Sequence, residues 1–350
     1  MKTRNSQIEL LRILAILGVV VLHYNGNVAF AQVNAGSIQQ YILFALESLF
    51  LAAVNVFVLI SGYFLYNSNE RRWVKVLQLL VQVMALGVVR YALTLLLSGG
   101  VFSVTTLVSY MIPNNWFVTL YLALYILSPY LNLLIERLDE QQMRLLILFG
   151  IGLFSLWPTL MDIVRDVTGL SFIGLYPLSN NGNLNGYTIV QFVLMYLIGA
   201  YLHRFGEQIR IKNGWLGLIF AGCVGLVTVW QIILPPSARA YSNPLIILMA
   251  ICIFLLFSRI RLQSKAINLL ARGAFSCYIL HDVFLPHVGI EHVIHGNPFV
   301  LIGHVFACAI GIYLISFAIG FLYDLVSRPV LSLFGKWLTP LDRYISPHKE

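Results

Sequence analysis

A basic side chain and a titratable one sit eleven residues apart in the first apolar stretch of the chain, Arg12 in Glu9-Leu-Leu-Arg12 and His23 in Val21-Leu-His23-Tyr24. Eleven residues at about 100° each return to within about 20° of the starting face, so one side of a helix carries both, about 16 Å apart along its axis. Ionisable residues inside an apolar span are costly and mark functional sites. A neutral imidazole suits general-base work, taking a proton from a hydroxyl as that hydroxyl attacks. Such a base needs a partner to fix its tautomer and steady the imidazolium. Glu47, early in the second apolar stretch and at a matching depth, is the candidate. Arg90 lies about 24 Å into the third stretch from Val74, where it pairs with Glu47 or steadies a developing oxyanion. At the other end of the face, Arg12 falls near the depth of Arg71, Arg72 and Lys75, and four such cations can bind phosphates. His281-Asp282 reads as packing between helices, or as the lining of a path through them. His287, Glu291 and His295 share a face if that segment is helical, with His292 adjacent, but Pro286 argues for a loop and no metal is expected.

These residues need a membrane scaffold to hold them. The chain is 59% hydrophobic and only 10% charged, and its mean hydropathy is +0.84, which places all 350 residues outside the soluble globular class. Apolar stretches of bilayer length lie near residues 8–27, 42–66, 74–98, 116–135, 143–163, 187–203, 214–234, 243–258, 272–290 and 299–326, about ten spans. The expected architecture is therefore an all-α integral membrane bundle, one transmembrane domain over residues 1–350. No repeat, low-complexity tract or soluble appendage interrupts it. The first stretch lacks a small-residue cleavage site and is long enough to span, so it is expected to stay as a helix.

Lysines and arginines set the orientation. One side of the membrane collects Lys2 and Arg4, the Arg71 to Lys75 cluster, Arg137 and Arg144, Arg204 to Lys212, Arg259 to Arg272, and Arg328, Lys336, Arg343 and Lys349. The other side has only Arg165 and Arg239, with Arg12 and Arg90 inside spans. Both termini are thus expected in the cytoplasm. The net charge of +8 is mostly this orientation signal together with contact to lipid headgroups, and nucleic acid gains no support as a partner. Cys223, Cys252, Cys277 and Cys308 lie in or beside spans without paired spacing, as small apolar residues do. The loop Asn180-Asn-Gly-Asn-Leu-Asn-Gly186 breaks helices, and reads as a turn or as a hydrogen-bonding surface for hydroxyl-rich ligands.

The basic residue and the histidine ten intervening positions later resemble the first span of the acyltransferase-3 family of bacterial integral membrane acyltransferases. The likeness continues through Phe57-Val-Leu-Ile-Ser61-Gly62-Tyr63-Phe64, Trp116-Phe117, Tyr196-Leu-Ile-Gly199-Ala-Tyr201 and Tyr278-Ile-Leu-His281. Members often carry Arg-x-x-Arg at the start of the third span, where this chain has Arg72-Trp-Val-Lys75. Lysine keeps the charge and loses the bidentate fork. The resemblance implies transfer of an acyl group, most simply acetyl from cytosolic acetyl-CoA, to a hydroxyl of a cell-surface polysaccharide or lipid-linked glycan, by a multi-pass protein of the cell membrane. Arg12, Arg71, Arg72 and Lys75 would take the phosphates of coenzyme A, and His23 would be the base, with Glu47 and Arg90 beside it. Succinyl transfer, and an acyl-enzyme in place of direct transfer, stay open. A competing reading is a transporter or flippase for a sugar or lipid-linked glycan, although repeated halves and broken midplane helices are not visible. A third is a non-catalytic sensor of acyl-CoA, which would be indifferent to His23.

Overall fold

The long apolar stretches leave backbone amides no partner except their own helix, and helices are what form. The computed structural model describes residues 5–66, 72–179, 182–338, 340 and 342, without the side chains of 328–338. In chain order the helices are α1 (Ser6–Tyr24), α2 (Ile38–Phe50), α3 (Ala53–Leu65), α4 (Trp73–Ser98), α5 (Val104–Met111), α6 (Trp116–Arg137), α7 (Glu140–Ile151), α8 (Trp157–Thr168), α9 (Ile189–Phe205), α10 (Asn213–Ile233), α11 (Pro235–Ala238), α12 (Pro244–Ser258), α13 (Lys265–Leu270), α14 (Ala274–Phe284) and α15 (Pro298–Leu338). No strand occurs among the described residues. Among the described residues, eight helical stretches are long and apolar enough to cross a membrane, so the chain is a multi-pass membrane protein. The expected spans at 243–258 and 272–290 correspond to α12 and α14, of 15 and 11 residues, which are shorter than these eight.

Two irregularities were not foreseen. The second expected span is broken at Leu51-Ala52, between α2 and α3. The first and fifth spans each contain a π-helical turn, Asn25–Ala29 and Gly152–Leu156.

The helices group into two units. The first gathers α1, α2 as far as Leu46, α4, α5, the start of α6 and α13 to α15. Its α14 packs on α15, α4 and α1. Small residues permit this closeness: a Cβ on Gly273 would lie 2.8 Å from the Phe317 side chain, and Gly320 accommodates Ser276. Arg272 anchors the start of α14 to Asp324 of α15 at 2.5 Å.

The second unit gathers α3, the rest of α6 and α7 to α12. Its centre is the crossing of α3 on α9, where Gly62 and Gly199 face each other's helix. A Cβ on Gly62 would come 2.8 Å from the Cα of Tyr196, and one on Gly199 would come 2.8 Å from the backbone N of Tyr63. The Ser61-Gly62 and Tyr196-to-Gly199 motifs thus serve helix approach, as small residues do in bundles. The loop after α8 is pinned rather than free. Buried Asp162 accepts hydrogen bonds from the Tyr176 hydroxyl and the Asn183 amide, each at 2.8 Å, and pairs with Arg165 at 3.1 Å. Burial and the bond to Asp162 push the Tyr176 phenol up to about 12. Asn183 also accepts from Ser242 at 3.0 Å. This half of the Asn/Gly-rich loop is therefore committed to structure, while Asn180 and Asn181 lie outside the described residues.

Candidate active site

α1 runs unbroken through Arg12 and His23, so the spacing read from the sequence carries over to the first unit. Two residues past His23 the helix widens into the π turn, whose Asn25 is buried and donates to the Leu43 carbonyl at 3.1 Å. Such π turns often accompany functional sites. Opposite lies α14, which stops at Phe284 because Pro286 cannot continue it.

The two helices bring His23, His281 and Asp282 together. The imidazoles of His23 and His281 stack with ring centroids 4.6 Å apart and 17° between their planes. His23 Nδ1 and His281 Nε2 share a hydrogen bond. The second nitrogen of His281, Nδ1, donates to the Cys277 carbonyl one turn back at 3.0 Å. That bond leaves His281 Nε2 as the acceptor, so His23 carries its proton on Nδ1 and exposes a bare Nε2. Asp282 Oδ1 stands 3.4 Å from His23 Nδ1 and 3.2 Å from His281 Nε2. Asp282 Oδ2 faces Arg90 at 3.8 Å, and the Arg90 guanidinium also lies over the Tyr110 ring. His281 is 1% exposed, whereas the His23 side chain keeps 40% of its surface open. The buried ring positions; the open one can meet a ligand. A cavity of about 320 Å³ reaches Asp282 beside Asn27, Val28, Gln32 and Leu285.

Beside the site, the Tyr24 hydroxyl donates to His304 Nδ1 at 2.8 Å, and His304 Nε2 donates to the Val288 carbonyl at 2.9 Å. Phe117 packs on Tyr278, which packs on His281, so the Trp116-Phe117 and Tyr278-to-His281 motifs both lead to the cluster.

Several expectations change. The carboxylate that the first unit sets beside His23 is Asp282. Glu47 is buried and belongs to the second unit, and the ion pair of Arg90 is with Asp282. His281-Asp282, read as packing, forms the heart of the cluster. Residues 285–292 make two short 3-10 turns rather than a helix, so His287, Glu291 and His295 do not share a helical face. Asp282 was hidden because it lies 259 positions from His23, and nothing in local periodicity reports such a pair. The signal that could have found it was the adjacency of two ionisable residues inside one apolar span. His304, a lone histidine in α15, offered no such signal.

Toward the start of α1, Arg12 is held by Glu9 one turn back at 2.8 Å and keeps 32% of its side-chain surface. Arg72 faces Asp342 at 3.8 Å, and Lys75 lies in the first turn of α4. Arg71 falls outside the described residues.

A family model, Acyl_transf_3, described as an acyltransferase domain, matches residues 5–321 of the chain. No curated protein matches, and no solved structure matches.

Proposed function

The chain belongs to the acyltransferase-3 family and is a membrane acyltransferase, and from this premise we propose that it moves an acetyl group from cytosolic acetyl-CoA to a hydroxyl of an extracytoplasmic carbohydrate. The acceptor class is cell-surface polysaccharide or its lipid-linked precursor, and the setting is the cell membrane with both termini in the cytoplasm. The observation that carries the reading is the His23–His281–Asp282 arrangement.

His23 Nε2, unprotonated and on the open side, takes the proton of the acceptor hydroxyl as its oxygen attacks the thioester carbonyl. The positive charge that forms on His23 is held by Asp282, whose own position is set by Arg90. His281, fixed by Cys277, keeps His23 in the tautomer that leaves Nε2 bare. The tetrahedral intermediate collapses by expelling the coenzyme A thiolate, which takes up the proton from His23. Arg12, Arg72 and Lys75 hold the phosphate-rich head of the donor. The pantetheine arm then covers a distance comparable to the about 16 Å between Arg12 and His23, so the thioester reaches the base while the head stays on the cytoplasmic side. Glu47, in the second unit, is left without a step in this scheme.

The test is release of free coenzyme A from acetyl-CoA by purified protein in liposomes, with a panel of envelope glycans. Release that depends on an acceptor and disappears in His23→Ala supports the reading. Equal release by the variant removes His23 from the chemistry. No release with any acceptor favours a transporter.

A further inference from the structure

The cluster that positions the base also has the composition of a metal site. Two imidazole nitrogens and a carboxylate oxygen, His23 Nδ1, His281 Nε2 and Asp282 Oδ1, converge so that all three lie within 4.8 Å of one another. A tetrahedral ion about 2.0 to 2.1 Å from its ligands sets them about 3.3 to 3.4 Å apart. Asp282 Oδ1 stands 3.4 Å from the one nitrogen and 3.2 Å from the other. The two imidazole nitrogens share a hydrogen bond and lie closer than this, so an ion would require His23, the more exposed ring, to turn away from His281.

Two further observations point to a cation site. Asp282 Oδ1 is buried and accepts no hydrogen bond, although both imidazoles stand within ion-pair distance of it, and a buried anionic oxygen that accepts no hydrogen bond calls for explanation. The hydrogen bond from His281 Nδ1 to the Cys277 carbonyl is the outer support that metal-binding histidines use to aim their other nitrogen at an ion. Arg90, at 3.8 Å from the far carboxylate oxygen, orients Asp282 without competing for Oδ1. Two imidazoles and one carboxylate match the ligand set of open zinc sites, whose fourth position is left to water or substrate. A cavity lined in part by Asp282 adjoins the cluster.

We propose that His23, His281 and Asp282 bind one divalent transition-metal ion of the Zn²⁺ class, and that the bound ion blocks the base. An ion on His23 Nδ1 displaces the proton of that nitrogen, which moves to Nε2 as the ring changes tautomer. Nε2 then has no lone pair with which to accept a proton from a hydroxyl. Binding stands independently of the acyltransferase reading; inhibition rests on it.

The experiment titrates Zn²⁺ alone into tag-free, detergent-solubilised protein against a chromophoric zinc indicator, with the melting temperature followed in parallel. Wild type should take up one more tight equivalent than His281→Ala or Asp282→Asn, and Zn²⁺ should raise its melting temperature but not that of Asp282→Asn. The near-isosteric Asn keeps the test valid if His281→Ala does not fold. Equal uptake by wild type and Asp282→Asn would assign the ion to exposed residues such as His292 and overturn the proposal, as would no uptake by wild type. Zn²⁺ bound here in a protein that transfers no acyl group would keep the metal site and defeat the acyltransferase reading. Acyl transfer without Zn²⁺ uptake would do the reverse.

Discussion

Asp282→Asn removes one negative charge from beside His23 and keeps the shape of the side chain. The cost can be worked from the 3.4 Å between Asp282 Oδ1 and His23 Nδ1. Unit charges at that distance attract by about 5 kcal/mol at an effective dielectric of 20 and about 1 kcal/mol in bulk water. The His23 side chain is 40% exposed and that of Asp282 33%, which argues for the middle of that interval, about 2 to 3 kcal/mol. Arg90 at 3.8 Å from the other carboxylate oxygen pulls the value toward the lower end. Because the imidazolium forms in the transition state and not with substrate bound, the loss falls on kcat. At about 1.4 kcal/mol per factor of ten, kcat should drop about 30- to 100-fold with KM nearly unchanged. The assay is steady-state acyl transfer by Asp282→Asn, by His23→Ala, expected to lose about 10² to 10⁴, and by the double variant. If Asp282 acts through His23, the double variant is no slower than His23→Ala, since residues acting as a unit are not additive. Multiplying effects, or a fully active Asp282→Asn, would refute the reasoning.

Replacing Arg12 by Gln should raise KM for acetyl-CoA about tenfold with little change in kcat, because Glu9 already shares the guanidinium and reduces its hold on phosphate to about 1.5 kcal/mol; an unchanged KM would take Arg12 out of the donor site. Gly62→Ala places a Cβ 2.8 Å from the Cα of Tyr196 and should cost about 3 kcal/mol of overpacking, seen as a lower melting temperature in detergent. Gly217→Ala, whose Cβ meets nothing within 4 Å, is the control, and equal melting of the two variants would contradict the helix-crossing account. Asp162→Ala strips an acceptor from Tyr176, Asn183 and Arg165, a loss of about 2 to 3 kcal/mol. Limited proteolysis between residues 169 and 188 should then speed up, and an unchanged cleavage rate would mean that the loop is held by other contacts.

What the sequence disclosed divides along physical lines. Apolar length depends on local composition, so each of the ten expected spans has a helical counterpart, whereas the crossing at Gly62 and Gly199 depends on which helices meet and came only with the structure. Arg12 and His23 were legible as a pair because one unbroken helix carries both. Asp282 was not legible as the partner of His23, because depth in the membrane is the only coordinate that charge and hydropathy provide. At matched depth Glu47 looked equivalent. Choosing between them needs the packing of α14 against α1, which Gly273 and Gly320 on the α15 side help to fix. The break at Leu51-Ala52 was hidden for a related reason: neither Gly nor Pro marks it, and both flanking segments are fully apolar. The π turn after His23 left no clear local signature, since Gly26 and Asn27 suit an ordinary helix end equally well.

The central claim is that His23 accepts the proton of an extracytoplasmic hydroxyl during acyl transfer across the bilayer. The most direct measurement traps the glycan acceptor inside sealed proteoliposomes, supplies radiolabelled acetyl-CoA outside, and counts label on the acceptor for wild type and His23→Ala, scoring only protein whose termini face outward. The account predicts labelled acceptor with wild type and label reduced at least about 100-fold with His23→Ala. Equal labelling by the two proteins would contradict it.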